Sequence, residues 1–232
     1  MVLKAAPAAR PARPAATPPA IIAAKTLAHL LCLAPLAWLG WRVWQVLGGA
    51  NVDVLGAEPV VAIEHELGIG ALRLLLITLA ITPFRQITGW TATLRFRRML
   101  GLYAFVYASL HFGVWLALDL VGDLSQVATE IAQRPFITVG FLAWLLLVPL
   151  AVTSTKGWMR RLGRKWGQLH KAIYPIAALA VLHFWWIVKS DWREPALYAG
   201  ILAVLLAWRV WKAVQKRRLA SAAGARVVTP RR

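Results

Sequence analysis

Six apolar runs, at about 26–47, 67–84, 100–120, 136–153, 166–188 and 196–214, decide most of what this chain can fold into. Each is around 18 to 23 residues, the length of helix that crosses a hydrocarbon core of about 30 Å. A backbone in hydrocarbon has to satisfy its own hydrogen bonds, and at this run length helices are the structures that do so. The chain has 232 residues and is 59% hydrophobic, more apolar surface than a soluble domain of that size uses. Its formal charge of +18 does not point to nucleic acid, because the charges punctuate the apolar runs and form no stripe on one face. The expected fold class is therefore an all-α integral membrane protein, a six-helix transmembrane bundle.

The loops give the orientation. The N-terminal arm through Lys25, the 85–98 loop, the 156–165 loop and the tail from Arg209 hold 4, 4, 5 and 8 Lys or Arg. The alternate loops, 48–66, 119–135 and 189–195, hold 0, 1 and 2, and all nine acidic residues fall in or beside them. By the positive-inside rule both termini are cytoplasmic, and a multi-pass membrane protein is expected. Trp38, Trp41, Trp44, Trp115, Trp185, Trp186 and Trp192 cluster toward the outer ends, as an interfacial belt does.

Residues 1–24 are Ala- and Pro-rich and read as a disordered basic arm, 25–214 as the transmembrane domain and 215–232 as a basic cytoplasmic tail. The run after the arm is too long for the apolar core of a signal peptide, so it reads as a retained first span. Pro35, Pro149 and Pro175 interrupt three spans and are expected to kink them. No repeat of fixed period stands out. Gly68 and Gly70 resemble part of a dinucleotide fingerprint, but Arg73 replaces its third glycine and the stretch opens a span. The tail leaves no room for a nucleotide-binding domain. The one cysteine, Cys32, makes no intrachain disulfide, and there is no Cys-x-x-Cys-His motif for covalent haem.

Ionisable residues inside spans are costly and read first as functional. His111, in the third span, is eight residues before Asp119; His183, in the fifth, is eight before Asp191. Each lies about 12 Å from an outer end, so the two imidazoles sit at matching depth. Two neutral imidazoles facing each other across a bundle suit a six-coordinate b-type haem. The competing reading is a buried histidine bonded to a neighbouring backbone or hydroxyl group. His170 lies thirteen residues before His183, roughly 20 Å toward the inner face and about 140° around an ideal helix. The residues thirteen and fourteen before His111 are Arg98 and Arg97, so a second haem lacks an obvious ligand there. His29 is the other histidine at that depth, and a flavin or quinone site beside His170 stays open. Arg73 needs an anionic partner, such as a haem propionate, unless it snorkels to the interface. Arg97 and Arg98 suit inner propionates or a flavin phosphate, or form a topogenic charge cluster. His65 lies at the outer boundary.

The segments ITPFR (81–85), RRMLGLYAFVYASLH (97–111), RPFITVGFLAW (134–144) and TSTKGWMRRLGRKWGQLHKAIYPIAALAVLHFWW (153–186) resemble the ferric-reductase-like transmembrane superfamily. Within it the chain is most similar to haem-binding membrane subunits of bacterial periplasmic methionine-sulfoxide reductase systems. The resemblance implies a six-span b-type cytochrome, with one or two haems, that also uses FMN. It implies electron transfer from the quinone pool or a cytosolic flavin reductase to a periplasmic molybdopterin enzyme that repairs oxidised methionine. The three principal histidines of the family match His111, His170 and His183. The fourth histidine and the nucleotide domain of eukaryotic oxidase relatives are missing.

The expected role is an electron-transfer subunit with no substrate site of its own, whose helices position the cofactor and tune it. The rivals are a stand-alone ferric or metal-ion reductase and, from another class, a six-span proton-coupled transporter. The loop asymmetry, 21 against 3 basic residues, makes the topology testable. A reporter active only in the periplasm and fused after Arg232 is expected to be silent; activity there overturns the orientation.

Overall fold

The computed structural model describes residues 19–188 and 191–227, and every regular element among them is helical. In order they are α1 (Pro19–Leu47), α2 (Pro59–Thr88), α3 (Leu94–Val114), α4 (Leu124–Gln133), α5 (Pro135–Val152), α6 (Lys156–Leu162), α7 (Arg164–Leu169), α8 (Ile173–Ile187) and α9 (Arg193–Val227). A π-helical turn over Trp115–Asp119 extends α3. Among the described residues five helices, α1, α2, α3, α5 and α9, are long and apolar enough to cross a membrane.

The fifth apolar run departs from expectation. It is divided into α7, a 3₁₀ turn over His170–Ala172, and α8 of only 15 residues. Pro175 accounts for the break, because its ring excludes the carbonyl of the residue four before it, here Lys171. Pro35 and Pro149 lie inside α1 and α5 without ending them. α1 begins at Pro19, six residues inside the expected arm, and α9 runs on to Val227; both extensions are rich in alanine, a strong helix former. Residues 1–18 of the arm and 228–232 of the tail lie outside the described residues. The 119–135 loop contains α4. Asp123 caps it by accepting from the Ser125 amide at 2.9 Å, and Leu124, Val127 and Ile131 fall on one face. Hydrogen bonds from the Ser125 hydroxyl and then the Gln126 amide hold the Asp123 carboxyl below the usual carboxylate range.

α2 is the central helix: 61% of its most apolar stretch is buried, against 17% or less in the other four. Its Leu72, Leu75, Leu76 and Leu79 pack into a core with Ala104 and Tyr107 of α3 and Ile176 and Ala177 of α8. α2 runs along α3, α5 runs along α8, and α9 closes against α2 and α8. α1 is tied on by hydrogen bonds. The Tyr107 hydroxyl donates to the Cys32 carbonyl at 2.7 Å, and Arg42 pairs with Glu66 and donates to the Val54 carbonyl at 2.9 Å.

One long-range bond repairs a defect in α2. Pro83 has no N–H, so the carbonyl four residues earlier, Leu79, loses its helical partner. Arg209 of α9 supplies one, donating from Nη2 to that carbonyl at 2.8 Å while its Nε donates to the Tyr174 hydroxyl at 3.1 Å. Arg209→Ala leaves a buried carbonyl unpaired and is expected to cost about 1–3 kcal/mol. Thermal unfolding in detergent measures the loss; a melting temperature equal to wild type shows that the bond carries no stability.

Candidate functional site

His111 of α3 and His183 of α8 are set by the same device. His111 Nδ1 lies 2.9 Å from the carbonyl oxygen of Glu64 on α2, and His183 Nδ1 lies 2.7 Å from that of Phe136 on α5. A carbonyl can only accept, so in each ring Nδ1 carries the proton and Nε2 presents a bare lone pair. One helical turn past each acceptor stands a glycine. A Cβ at Gly68 would come within 3.3 Å of the His111 ring, and one at Gly140 within 2.7 Å of the His183 ring. The missing side chains let each imidazole lie against its neighbouring helix. Gly70 does the same for Tyr107, where a Cβ would stand 2.6 Å from ring atoms. The two glycines that resemble part of a nucleotide fingerprint are thus packing clearances.

The two imidazole centroids are 6.1 Å apart with their planes at 76°. With a metal–nitrogen bond of roughly 2 Å, imidazoles on opposite sides of one ion have centroids roughly 6 Å apart. The pair therefore has the separation and the tautomers of two axial ligands. Beside it, Phe112 stacks on Trp144 at 4.7 Å, and the Trp144 indole donates to the Ser109 hydroxyl at 3.1 Å.

These correspondences reveal an internal repeat that the sequence reading missed. Acceptor and histidine are 47 residues apart in both pairs. Glu64, Gly68, Ala108, Leu110, His111 and Phe112 recur as Phe136, Gly140, Ala180, Leu182, His183 and Phe184 at one constant offset. The α2–α3 and α5–α8 pairs thus carry the same arrangement of carbonyl, glycine and histidine at equivalent positions. At the same offset Arg98 corresponds to His170.

His170 is held differently. The Thr153 hydroxyl donates its one proton to the Pro149 carbonyl at 2.6 Å, and its oxygen lies 3.1 Å from His170 Nε2. Nε2 must therefore be the donor, which leaves Nδ1 bare, the reverse of the other two histidines. The Trp166 ring stacks on His170 at 4.0 Å, and its indole N–H donates to the Thr153 carbonyl at 2.9 Å. Gly163, at φ 49°, turns the chain between α6 and α7 to bring Trp166 in. His170, Arg97 and Arg98 line one cavity of about 240 Å³ between α3, α5 and α7.

His29 does not line that cavity; its Nδ1 is 2.8 Å from the Tyr103 hydroxyl. Arg73 has partners from the chain itself: its Nε donates to the Tyr198 hydroxyl at 2.8 Å, and Glu194 lies 3.9 Å away. His65, at the outer edge, is 3.9 Å from the same carboxylate. The carbonyls of Glu64 and Phe136, Gly140, Thr153 and Trp166 were not singled out from sequence. The recurring Ala-x-Leu-His-Phe was the available signal.

Residues 67–181 match the family described as ferric reductase like transmembrane component. A protein-methionine-sulfoxide reductase heme-binding subunit MsrQ of Xanthomonas euvesicatoria pv. vesicatoria (strain 85-10) is 66% identical over 204 residues, 88% of this chain and 93% of its own length. The MsrQ of Caulobacter vibrioides is 45% identical over 196 residues, 84% of this chain and 89% of its own. The chain belongs to the MsrQ family. No solved structure matches it.

The two clearances differ in tightness, so their substitutions should differ. Gly140→Ala is expected to destabilise by about 1–3 kcal/mol and Gly68→Ala by clearly less. Thermal unfolding of both variants decides it; equal losses show that ring clearance is not what these glycines provide.

Proposed function

We propose that the chain is a six-span b-type cytochrome subunit of the bacterial inner membrane, with both termini cytoplasmic. It passes electrons to a periplasmic molybdopterin methionine-sulfoxide reductase; the names of its relatives, heme-binding subunits of a protein-methionine-sulfoxide reductase, support the coarser part of that reading. The observation that carries this reading is the His111–His183 pair at 6.1 Å, with both Nδ1 protons committed to backbone carbonyls.

His111 and His183, each with Nε2 free, are the residues that would hold the haem iron. The Glu64 and Phe136 carbonyls fix ring orientation and tautomer and raise ligand basicity, the part that outer-shell acceptors play at metal sites. Haem, when bound there, would supply one-electron chemistry. Gly68 and Gly140 set how closely each ring approaches its helix, and the Phe112–Trp144 stack excludes water beside it. Arg73, engaged by Glu194 and Tyr198, lies at the outer edge as an available donor to a propionate. Electrons enter at the basic inner face. Two donors suit it: a quinol from the pool, or FMN loaded by a flavin reductase, with Arg97 and Arg98 as phosphate partners.

His111→Ala and His183→Ala are each expected to lose most of the haem, read by a pyridine haemochrome assay and the Soret band. Wild-type haem content in either variant refutes the pairing. A colourless wild-type protein refutes the cytochrome reading and favours a transporter.

A further inference from the structure

Charge balance separates the two ends of this bundle. Among the described residues the ion pairs are Arg42–Glu66, His65–Glu194, Arg73–Glu194 and Arg134–Glu130, and each uses a carboxylate at the acidic end. All nine acidic residues lie in or beside the loops of that end. The cations of the basic end therefore have no carboxylate of this chain to pair with, and their counter-charge must come from outside it.

One of these cations is held in place. Trp208 and Trp211 of α9 stand with their ring centroids 5.1 Å apart and their planes at 64°. The Lys212 ammonium lies over both rings, 4.4 Å from the Trp211 centroid and 5.3 Å from that of Trp208. The Trp208 indole donates to Gln86 Oε1 of α2 at 2.8 Å, which fixes this aromatic shelf to the central helix. The ring faces attract the ammonium, and Gln215 accepts one of its protons at 3.5 Å. An ammonium carries three donors, so it keeps capacity for an oxyanion. Indoles gather where hydrocarbon meets headgroups, the depth at which a lipid phosphate lies.

An apolar groove leads away from the shelf along α9. It is lined by Ala196, Leu197, Gly200, Ile201, Val204 and Leu205. Gly200 opens it: a Cβ there would meet nothing within 4 Å. At 100° per residue, Leu205 and Ile201 each lie within about 20° of Lys212 around the helix, and about 10 and 16 Å from it along the axis. Half the thickness of a hydrocarbon core is roughly 15 Å, so an acyl chain starting at Lys212 reaches both.

We propose that the Lys212 shelf and this groove form a binding site for one anionic phospholipid, its phosphate on the Lys212 ammonium and an acyl chain along Leu205 and Ile201. The held cation selects a negatively charged headgroup, and the groove asks for a chain that a free phosphate lacks. By the orientation proposed above, the lipid belongs to the inner leaflet. The site itself does not depend on haem.

The test is native mass spectrometry of the full-length protein in detergent, titrated with dioleoyl phosphatidylglycerol and separately with dioleoyl phosphatidylcholine. Wild type is expected to bind its first phosphatidylglycerol more tightly than its first phosphatidylcholine. Lys212→Gln should cut that preference about fivefold, the effect of one cation beside an anionic lipid, and Lys212→Arg should keep it. Lys216→Gln, one helical turn on and exposed, should leave it near wild type. Gly200→Leu fills the groove and should weaken both lipids alike, with the preference intact. Four results overturn the proposal. The first is a wild-type protein with no preference between the two lipids. The second is an equal loss in Lys212→Gln and Lys216→Gln, which makes the attraction a diffuse surface charge. The third is wild-type affinity for both lipids in Gly200→Leu, which leaves the chain outside the groove. The last is displacement of phosphatidylglycerol by inorganic phosphate, which makes this a site for a free anion.

Discussion

Two hydrogen bonds between helices, from the Nδ1–H of His111 and of His183 to backbone carbonyls, set the rest of this structure. A helical carbonyl already accepts from the N–H four residues on, and it keeps a second lone pair. At Glu64 and Phe136 that fourth residue is Gly68 or Gly140, and the missing Cβ opens the second lone pair to an imidazole. The bond then does two things at once. It satisfies a polar ring inside an apolar bundle, where an unpaired N–H would be costly, and it turns the other nitrogen inward as a bare donor of electrons. Because both helix pairs use the device, the two rings stand with their centroids 6.1 Å apart, each with Nε2 bare.

The repeat explains why the outer and inner ends differ in kind. The constant offset between the two helix pairs places a histidine on each side at the outer level. At the inner level one helix pair has Arg98 and the other His170, so the correspondence of side chains is lost there. Thr153 and Trp166 clamp the surviving histidine in the opposite tautomer. Pro175 contributes as well, since the helical break before it releases His170 from the register that links it to His183. One arrangement, carried on two helix pairs, thus yields a paired site on one side of the bundle and an unpaired one on the other.

The matched depth of His111 and His183 was legible because distance along a helix follows directly from residue count and each has an acidic residue eight positions on. Their close approach was not, since it depends on Gly68 and Gly140, and only Gly68 stood out, as part of an incomplete nucleotide motif. The repeat escaped because few identities survive between the copies, and the apolar residues around them differ freely wherever they face lipid. The split of the fifth run was half visible: Pro175 marked it, but the 3₁₀ turn and the role of Thr153 need coordinates, because one hydroxyl proton decides the tautomer. Arg73 called for an anion, and the structure supplies Glu194 from a helix more than a hundred residues away, a pairing no local pattern encodes. α4 was the more avoidable miss, as Asp123 followed by Leu124, Val127 and Ile131 is an ordinary capped amphipathic helix.

The two rings stand at 76°, and that angle has an electronic consequence for any iron they share. Near-perpendicular imidazole planes leave the iron orbitals that interact with them close in energy, which makes the low-spin ferric state strongly anisotropic. Electron paramagnetic resonance of the oxidised, full-length protein is the direct measurement. The expected result is one low-spin ferric signal whose largest g-value lies well above that of parallel-plane bis-imidazole haem. A high-spin ferric signal, or a low-spin signal of the parallel-plane type, contradicts ligation by His111 and His183 in the arrangement seen here.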